Sequence, residues 1–263
     1  MLKTFFQNLR DYASKRGYVC DGCRSEIFSY PQQRLCEDCR KVLNRNRAHY
    51  CPKCGRKGVA EGVCMTCKSA MPAFTFGVSP FSYRGETAEL VNRIKNGERR
   101  LAYFFGEEMA DCFLRRFPTL QEEFDEGRYA SNHANSTHKL LLLPVPLTKE
   151  REKERGYNQS EELCRVVAAA LQEKGVLAET DTDTLVKRRE TPQQKHLGVA
   201  GRMENASGAY HVHKRAFCKG RTILLIDDIM TTGATGSECA KLLLGAGAKE
   251  VYFLVAAATP EKK

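Results

Sequence analysis

Two patterns in this chain have residue types and spacings that could do chemistry. The first is ILLIDDIMTTGAT, Ile223 to Thr235. An apolar run suited to a buried strand meets two adjacent carboxylates, Asp227 and Asp228. Thr231, Thr232, Gly233, Ala234 and Thr235 then lead into a helical pattern. In an open parallel sheet the ligand crevice lies beyond the carboxyl ends of the strands. A helix N-terminus offers free amide donors and a partial positive charge, which suits an anion. Gly233 lets the backbone approach closely, and the threonine hydroxyls add donors. A phosphate fits that turn, and the carboxylates fit vicinal sugar hydroxyls, so the ligand expected is a ribose phosphate. Helix capping would explain one aspartate but not the pair together with the turn.

The second pattern is four C-x2-C pairs: Cys20/Cys23, Cys36/Cys39, Cys51/Cys54 and Cys64/Cys67, separated by 12, 11 and 9 residues. Two knuckles of this kind make one tetrahedral four-thiolate site, so eight thiolates imply two zinc ions. Sulfur fills every coordination position, which makes the expected zinc structural rather than catalytic. Sequential pairing is expected, first pair with second and third with fourth, with interleaved pairing the alternative. A disulfide framework is the competing reading, but no secretion signal accompanies it. A segment this short with few large apolar residues is marginal alone, and structural zinc supplies about 10–16 kcal/mol of apparent binding free energy. Cys112, Cys164, Cys218 and Cys239 sit in apolar contexts and read as packed thiols.

Elements must hold these groups in place. The 263 residues are 42% hydrophobic and 28% charged, as in ordinary globular proteins. No apolar run approaches membrane-helix length, and Lys3, Arg10 and Asp11 interrupt any secretory core, so a cytoplasmic protein without membrane insertion is expected. Past residue 71 the pattern alternates apolar strands with amphipathic helices, including KLLLLPVPL, QSEELCRVVAAALQEKG, RTILLIDDI and EVYFLVAAAT. That alternation implies an α/β fold, a mostly parallel sheet with helices on both faces. Residues 126–138 read as a polar loop, and a helix break is expected near Asn96-Gly97. The expected division is a cysteine-knuckle domain over 1–71 and an α/β domain over 72–263.

Net charge is +10, and residues 1–71 carry fourteen basic against six acidic residues. A solvated basic surface and an anionic partner such as single-stranded DNA both account for this. For the second, Arg45, Arg47, Lys53 and Arg56 are the candidate phosphate contacts, and Tyr18, Tyr30 and Tyr50 could stack on bases. Packing between the knuckles explains the tyrosines equally well.

ILLIDDIMTTGAT resembles the phosphoribosyl-pyrophosphate (PRPP) motif of type I phosphoribosyltransferases. More narrowly, the chain resembles the ComF family, competence-associated proteins of that fold with a double zinc ribbon in front. PVPLTKEREKERGYNQ is similar to the family's P-V-P…R-G-F-N-Q segment, with Tyr157 in place of phenylalanine. TPQQKHLGVAGRMENASGAY is similar to its flexible loop through Thr191, Gln194, Leu197, Arg202 and Asn205, and YRGETAELVNRIKNG resembles a segment ending near Lys95. The resemblance implies PRPP binding with Mg²⁺, phosphoribosyl transfer to an acceptor left open, a role in DNA uptake and partners among competence proteins; the alternative is a non-catalytic nucleic-acid-binding protein with a regulatory or vestigial PRPP pocket. It implies that Asp227 and Asp228 meet the ribose hydroxyls and that residues 231–235 hold the 5′-phosphate. Arg151, Arg155, Asn158, Gln159, Gln194 and Arg202 are then candidates for the pyrophosphate end, with Asn158 equally a helix cap. Lys149, Lys187, Arg188, Arg189 and Lys195 are further cations near these segments. Of six histidines only His196 lies in the suspected loop, where an exposed loop residue is the plainer reading, and no general base is legible.

Overall fold

The computed structural model describes residues 19–29, 32–47, 49–59, 61–124, 139–189 and 208–261. The chain divides into two compact units, residues 1–43 and 44–263. The loop expected over 126–138 and the flexible-loop candidates Gln194, Lys195, His196 and Arg202 lie outside the described residues, as do Tyr18 and Tyr30.

In the first unit, an antiparallel bridge between Val19 and Glu26 forms one knuckle. The short helix α1 (Glu37–Lys41) starts at the other, where Cys36 Sγ accepts from the Cys39 amide. Among the described residues of this unit the buried apolar side chains are Ile27, Leu35 and Leu43 beside Cys20.

The second unit begins with another cysteine knuckle and a short helix, α2 (Met65–Ser69). Strands β1 (Phe76–Val78) and β2 (Phe81–Ser82) follow, then α3 (Gly85–Lys95), α4 (Leu101–Arg116) and α5 (Pro118–Glu123). The break expected at Asn96-Gly97 separates α3 from α4, and Gly97 has φ +106°. Next come β3 (Leu140–Pro144), α6 (Lys149–Arg155), α7 (Gln159–Glu173), β4 (Ala178–Thr180), β5 (Leu185–Lys187) and β6 (Tyr210–Val212). The chain closes with α8 (Arg215–Cys218), β7 (Thr222–Met230), α9 (Ala234–Gly245) and β8 (Glu250–Ala258). The sheet runs β1–β8–β7–β3–β4 with every pair parallel, and β2 also pairs with β8. β5 and β6 form a separate antiparallel pair.

The apolar runs become parallel strands because both faces are covered. Leu141, Leu143, Ile223, Leu225, Val251 and Phe253 share one buried layer with Cys239, Ala240 and Leu243 of α9. Alternation along each strand sends their neighbours to the other face, where α4 and α7 pack. α7 lies close on α4: a Cβ at Gly106 would sit 2.6 Å from the Val166 side chain.

The second knuckle has no core of its own. Cys51, Cys54, Cys64 and Cys67 belong to the buried layer of α9, β7 and β8, and residues 44–71 lie in the same compact unit as residues 72–263. Its backbone lies against β1, where the Gly77 amide donates to Lys53 O at 2.7 Å. A Cβ at Gly55 would stand 2.5 Å from Gly77 O, and one at Gly77 would stand 2.7 Å from Cys54 O. Lys53 Nζ donates to the Phe74 and Thr75 carbonyls at 2.5 and 3.0 Å.

Candidate ligand site and metal centres

The register fixes where the two carboxylates emerge. Pro144 at the end of β3 pairs with Ile226, and the Val145 amide still donates to Ile226 O at 2.8 Å. Asp227 and Asp228 are the next residues of β7, beyond the end of β3, on a strand that stays paired with β8 through Asp227 and Ile229. The strand thus carries its charges to the mouth of the crevice that a parallel sheet offers to ligands.

Each carboxylate has its own partner. Asp228 is buried, with Oδ2 2.9 Å from Lys95 Nζ at the C-terminus of α3. Asp227 Oδ1 accepts from Ser160 Oγ at 2.9 Å and from the Asp228 amide at 2.9 Å. Burial, reinforced by the neighbouring charge of Asp228, pushes the Asp227 carboxyl up to about 7, while Ser160 and Lys95 oppose the shift. Lys95 and Ser160 were not among the site residues assigned from sequence. Lys95 does close the stretch YRGETAELVNRIKNG.

Neighbouring contacts hold these partners in place. The Gly97 amide, two residues past Lys95, donates to the Tyr157 hydroxyl at 3.2 Å, and Arg99 lies 4.1 Å over the Tyr157 ring. Asn158 is the cap of α7: Oδ1 accepts from the Ser160 amide at 2.9 Å and Nδ2 donates to Val145 O at 3.1 Å. Of its two expected roles the structure shows the capping one, which sets Ser160 against Asp227. Arg155 donates to Gln159 Oε1 at 2.9 Å, and Arg151 pairs with Glu154 at 3.0 Å, so these candidates are engaged locally.

The turn after β7 leads directly into α9. Gly233 takes φ +85° and α9 starts there without a side-chain cap. Thr232 Oγ1 accepts from the Ala234 amide at 3.4 Å, while Thr231 is exposed. A Cβ at Gly236 would meet the Phe253 ring at 2.5 Å, so α9 sits tight on β8 and its first turn is fixed. From the other side Arg56, only 4% exposed, donates through Nη2 to Thr231 O at 2.8 Å and through Nε to Cys54 Sγ at 3.3 Å. The Ala73 amide donates to Ser237 Oγ at 3.0 Å.

The cysteines assemble as two groups of four, Cys20/Cys23/Cys36/Cys39 and Cys51/Cys54/Cys64/Cys67. Within each group the sulfurs all lie within 4.8 Å of one another, as the sequential pairing expects. Amides of Cys36 and Cys64 donate to Cys20 Sγ and Cys51 Sγ at 3.1 and 3.3 Å, contacts that stabilise thiolate over thiol. Both sets could hold structural zinc. Of the basic residues assigned to DNA, Lys53 and Arg56 are occupied inside the fold, and Arg45 forms a two-bond pair with Glu108 at 2.5 and 2.6 Å. Arg47 remains exposed at a cavity of about 420 Å³ lined also by Arg45, Arg115, Arg116 and Tyr50. Arg116 lies 3.9 Å over the Tyr50 ring.

Comparison with known proteins finds several that this chain is similar to. The family described as "Phosphoribosyl transferase domain" matches residues 158–263. "Competence protein ComFC" of Bacillus subtilis is 25% identical over 85% of this chain and 83% of its own length. "DNA utilization protein YhgH" of Salmonella typhimurium is 29% identical over 89% of this chain and 93% of its own. "Competence protein F" of Haemophilus influenzae is 28% identical over 91% and 90%. A solved structure from an analysis of an invariant aspartic acid in HPRTs aligns at 15% identity and TM-score 0.33, over 64% of this chain and 67% of that one.

A carboxyl held above its ordinary value binds more protons folded than unfolded. Stability therefore falls as pH rises from about 4 to about 7, the unfolded and folded values of Asp227. Asp227→Asn keeps both acceptor contacts and removes the charge. Its melting temperature should exceed that of the unsubstituted chain at pH 8, with the difference shrinking towards pH 4. An equal difference at both pH values would contradict the burial argument.

Proposed function

We propose that the chain is a member of the ComF family, and that its second unit binds PRPP with Mg²⁺ and acts in the handling of DNA during uptake; its likeness to two competence proteins and a DNA utilization protein over most of its length supports this. The observation that carries the reading is the pairing of two carboxylates with an uncapped helix turn at the end of one strand. The amides and hydroxyls of Thr231 to Thr235 take the 5′-phosphate, and Asp227 and Asp228 accept from the ribose hydroxyls. Lys95 pairs with Asp228 and aims it, and the Ser160 hydroxyl aims Asp227 through its hydrogen bond. With Lys95 already against Asp228, the pair is not a cage for a divalent ion by itself. The set fits Mg²⁺ arriving on the phosphates with several of its waters, where it would neutralise charge on departing pyrophosphate. In the transfer this site suits, an acceptor lone pair bonds to the anomeric carbon as the bond to pyrophosphate breaks and pyrophosphate keeps the electron pair. The acceptor then loses its proton. Arg188 and Arg189, with Gln194, Lys195 and Arg202, are the candidate partners of pyrophosphate. The eight thiolates hold two structural zinc ions in this account.

Replacing both aspartates with asparagine keeps hydrogen-bonding capacity and removes charge. Calorimetry with PRPP and Mg²⁺ should show at least a tenfold loss of affinity, about 1.4 kcal/mol. An unchanged affinity would put the site elsewhere.

A second, compatible reading is sequence-independent binding of single-stranded DNA, and the arginine-lined cavity favours it. Arg47 and Arg115 are the residues to test there, since both are exposed while Arg45 and Arg116 are engaged with Glu108 and Pro52 O. In anisotropy titrations of a labelled oligothymidine, Arg47→Ala with Arg115→Ala should weaken binding about tenfold at low salt. The log K against log salt slope should fall by about 1.4, at 0.7 per phosphate. No binding at low salt, or none lost in the double variant, would leave the cavity without that role.

A further inference from the structure

We propose that Arg56 is a positioning residue through which the second cysteine centre holds the phosphate turn, so that metal at Cys51/Cys54/Cys64/Cys67 and PRPP in the crevice stabilise each other. The inference rests on the PRPP reading above and adds to it the regulation of that site.

Arg56 is 175 residues from Thr231 in sequence, yet its guanidinium bridges a cluster sulfur and the first carbonyl of the turn. Nε meets Cys54 Sγ at 3.3 Å and Nη2 meets Thr231 O at 2.8 Å, on a side chain that is 4% exposed. A buried charge needs a partner, and a four-thiolate zinc centre carries a formal charge of about −2. The guanidinium fork is planar and rigid, so fixing Nε on sulfur also fixes where Nη2 points. Thr231 O is thereby held, and with it the peptide plane that presents the Thr232 amide. Two other contacts run in the same direction: Ala73 N to Ser237 Oγ in the first turn of α9, and Phe74 packed at 5.4 Å on Phe253. The centre, the turn and the helix start therefore share one rigid surround.

Coupling of this kind is reciprocal: if metal at the centre favours PRPP, PRPP must favour metal by the same factor. The first centre, formed by Cys20, Cys23, Cys36 and Cys39, belongs to the other unit and should take no part.

The experiment follows zinc release from the full-length two-zinc protein to a chromogenic chelator, with and without PRPP in excess Mg²⁺. Saturating PRPP should slow release of one of the two zinc ions at least threefold. Arg56→Lys keeps the charge but not the fork. It should abolish that protection and weaken PRPP binding about tenfold by calorimetry, with the melting temperature recorded separately. Cys20→Ser should lose the first zinc and bind PRPP normally. The double aspartate-to-asparagine variant controls for zinc taken up by PRPP itself and should show no protection. If the unsubstituted protein does not bind PRPP, the functional reading falls and this inference with it. If it binds PRPP but neither zinc is protected, the inference alone is overturned, and that result stands even if Arg56→Lys fails to fold. Arg56→Lys binding PRPP as tightly as the unsubstituted protein overturns it as well.

Discussion

Two negative charges on consecutive residues at the end of a buried strand must be met by something, and much of the second unit is arranged to meet them. Lys95 comes to Asp228 from the end of α3, and Ser160 comes to Asp227 from the start of α7. Neither arrives by its own contact alone. Tyr157 receives the amide of Gly97 and so ties the turn after Lys95 to the segment before α7. Asn158 ties that segment to the end of β3. Three separated stretches of chain thus converge on one carboxylate pair. The cost is visible in Asp227, whose carboxyl is pushed up to about 7 by burial and its neighbour's charge. A site that holds unfavourable charge until a ligand donates to it is a common trade between stability and function.

The second knuckle extends the same logic to the turn that follows β7. Cys51, Cys54, Cys64 and Cys67 are buried in the layer of α9, β7 and β8, so they staple that layer as well as their own loops. The close backbone crossing at Gly55 and Gly77 leaves no room for a side chain at either position. Lys53 and Arg56 spend their charge inside this joint, on carbonyls and on a sulfur. A basic composition is therefore not a basic surface: part of the positive charge of the knuckle segment is structural.

The strands were legible because their apolar runs are long and bounded, as in LLLLP and TILLID, and the parallel sheet followed from their alternation with helices. The two cysteine groups were legible because C-x2-C spacing is local. The acid pair and its turn were legible because Asp227 to Thr235 are contiguous. What sequence could not supply was long-range partnership. Nothing in the spacing of Lys95, Ser160 or Arg56 announces Asp228, Asp227 or Thr231 as its mate, since each contact is made by folding over 67 to 175 residues. The same blindness assigned Arg45, Lys53 and Arg56 to an external anion when Glu108, two carbonyls and Cys54 were already waiting.

The central claim is that one crevice holds a ribose between the acid pair and a phosphate on the turn that follows. A crystal structure of the protein with PRPP and Mg²⁺ tests it most directly. The account predicts the 5′-phosphate within hydrogen-bonding distance of the amides of residues 232–235 and the ribose hydroxyls donating to Asp227 and Asp228. PRPP bound away from β7, or a crevice empty at saturating PRPP, would contradict it.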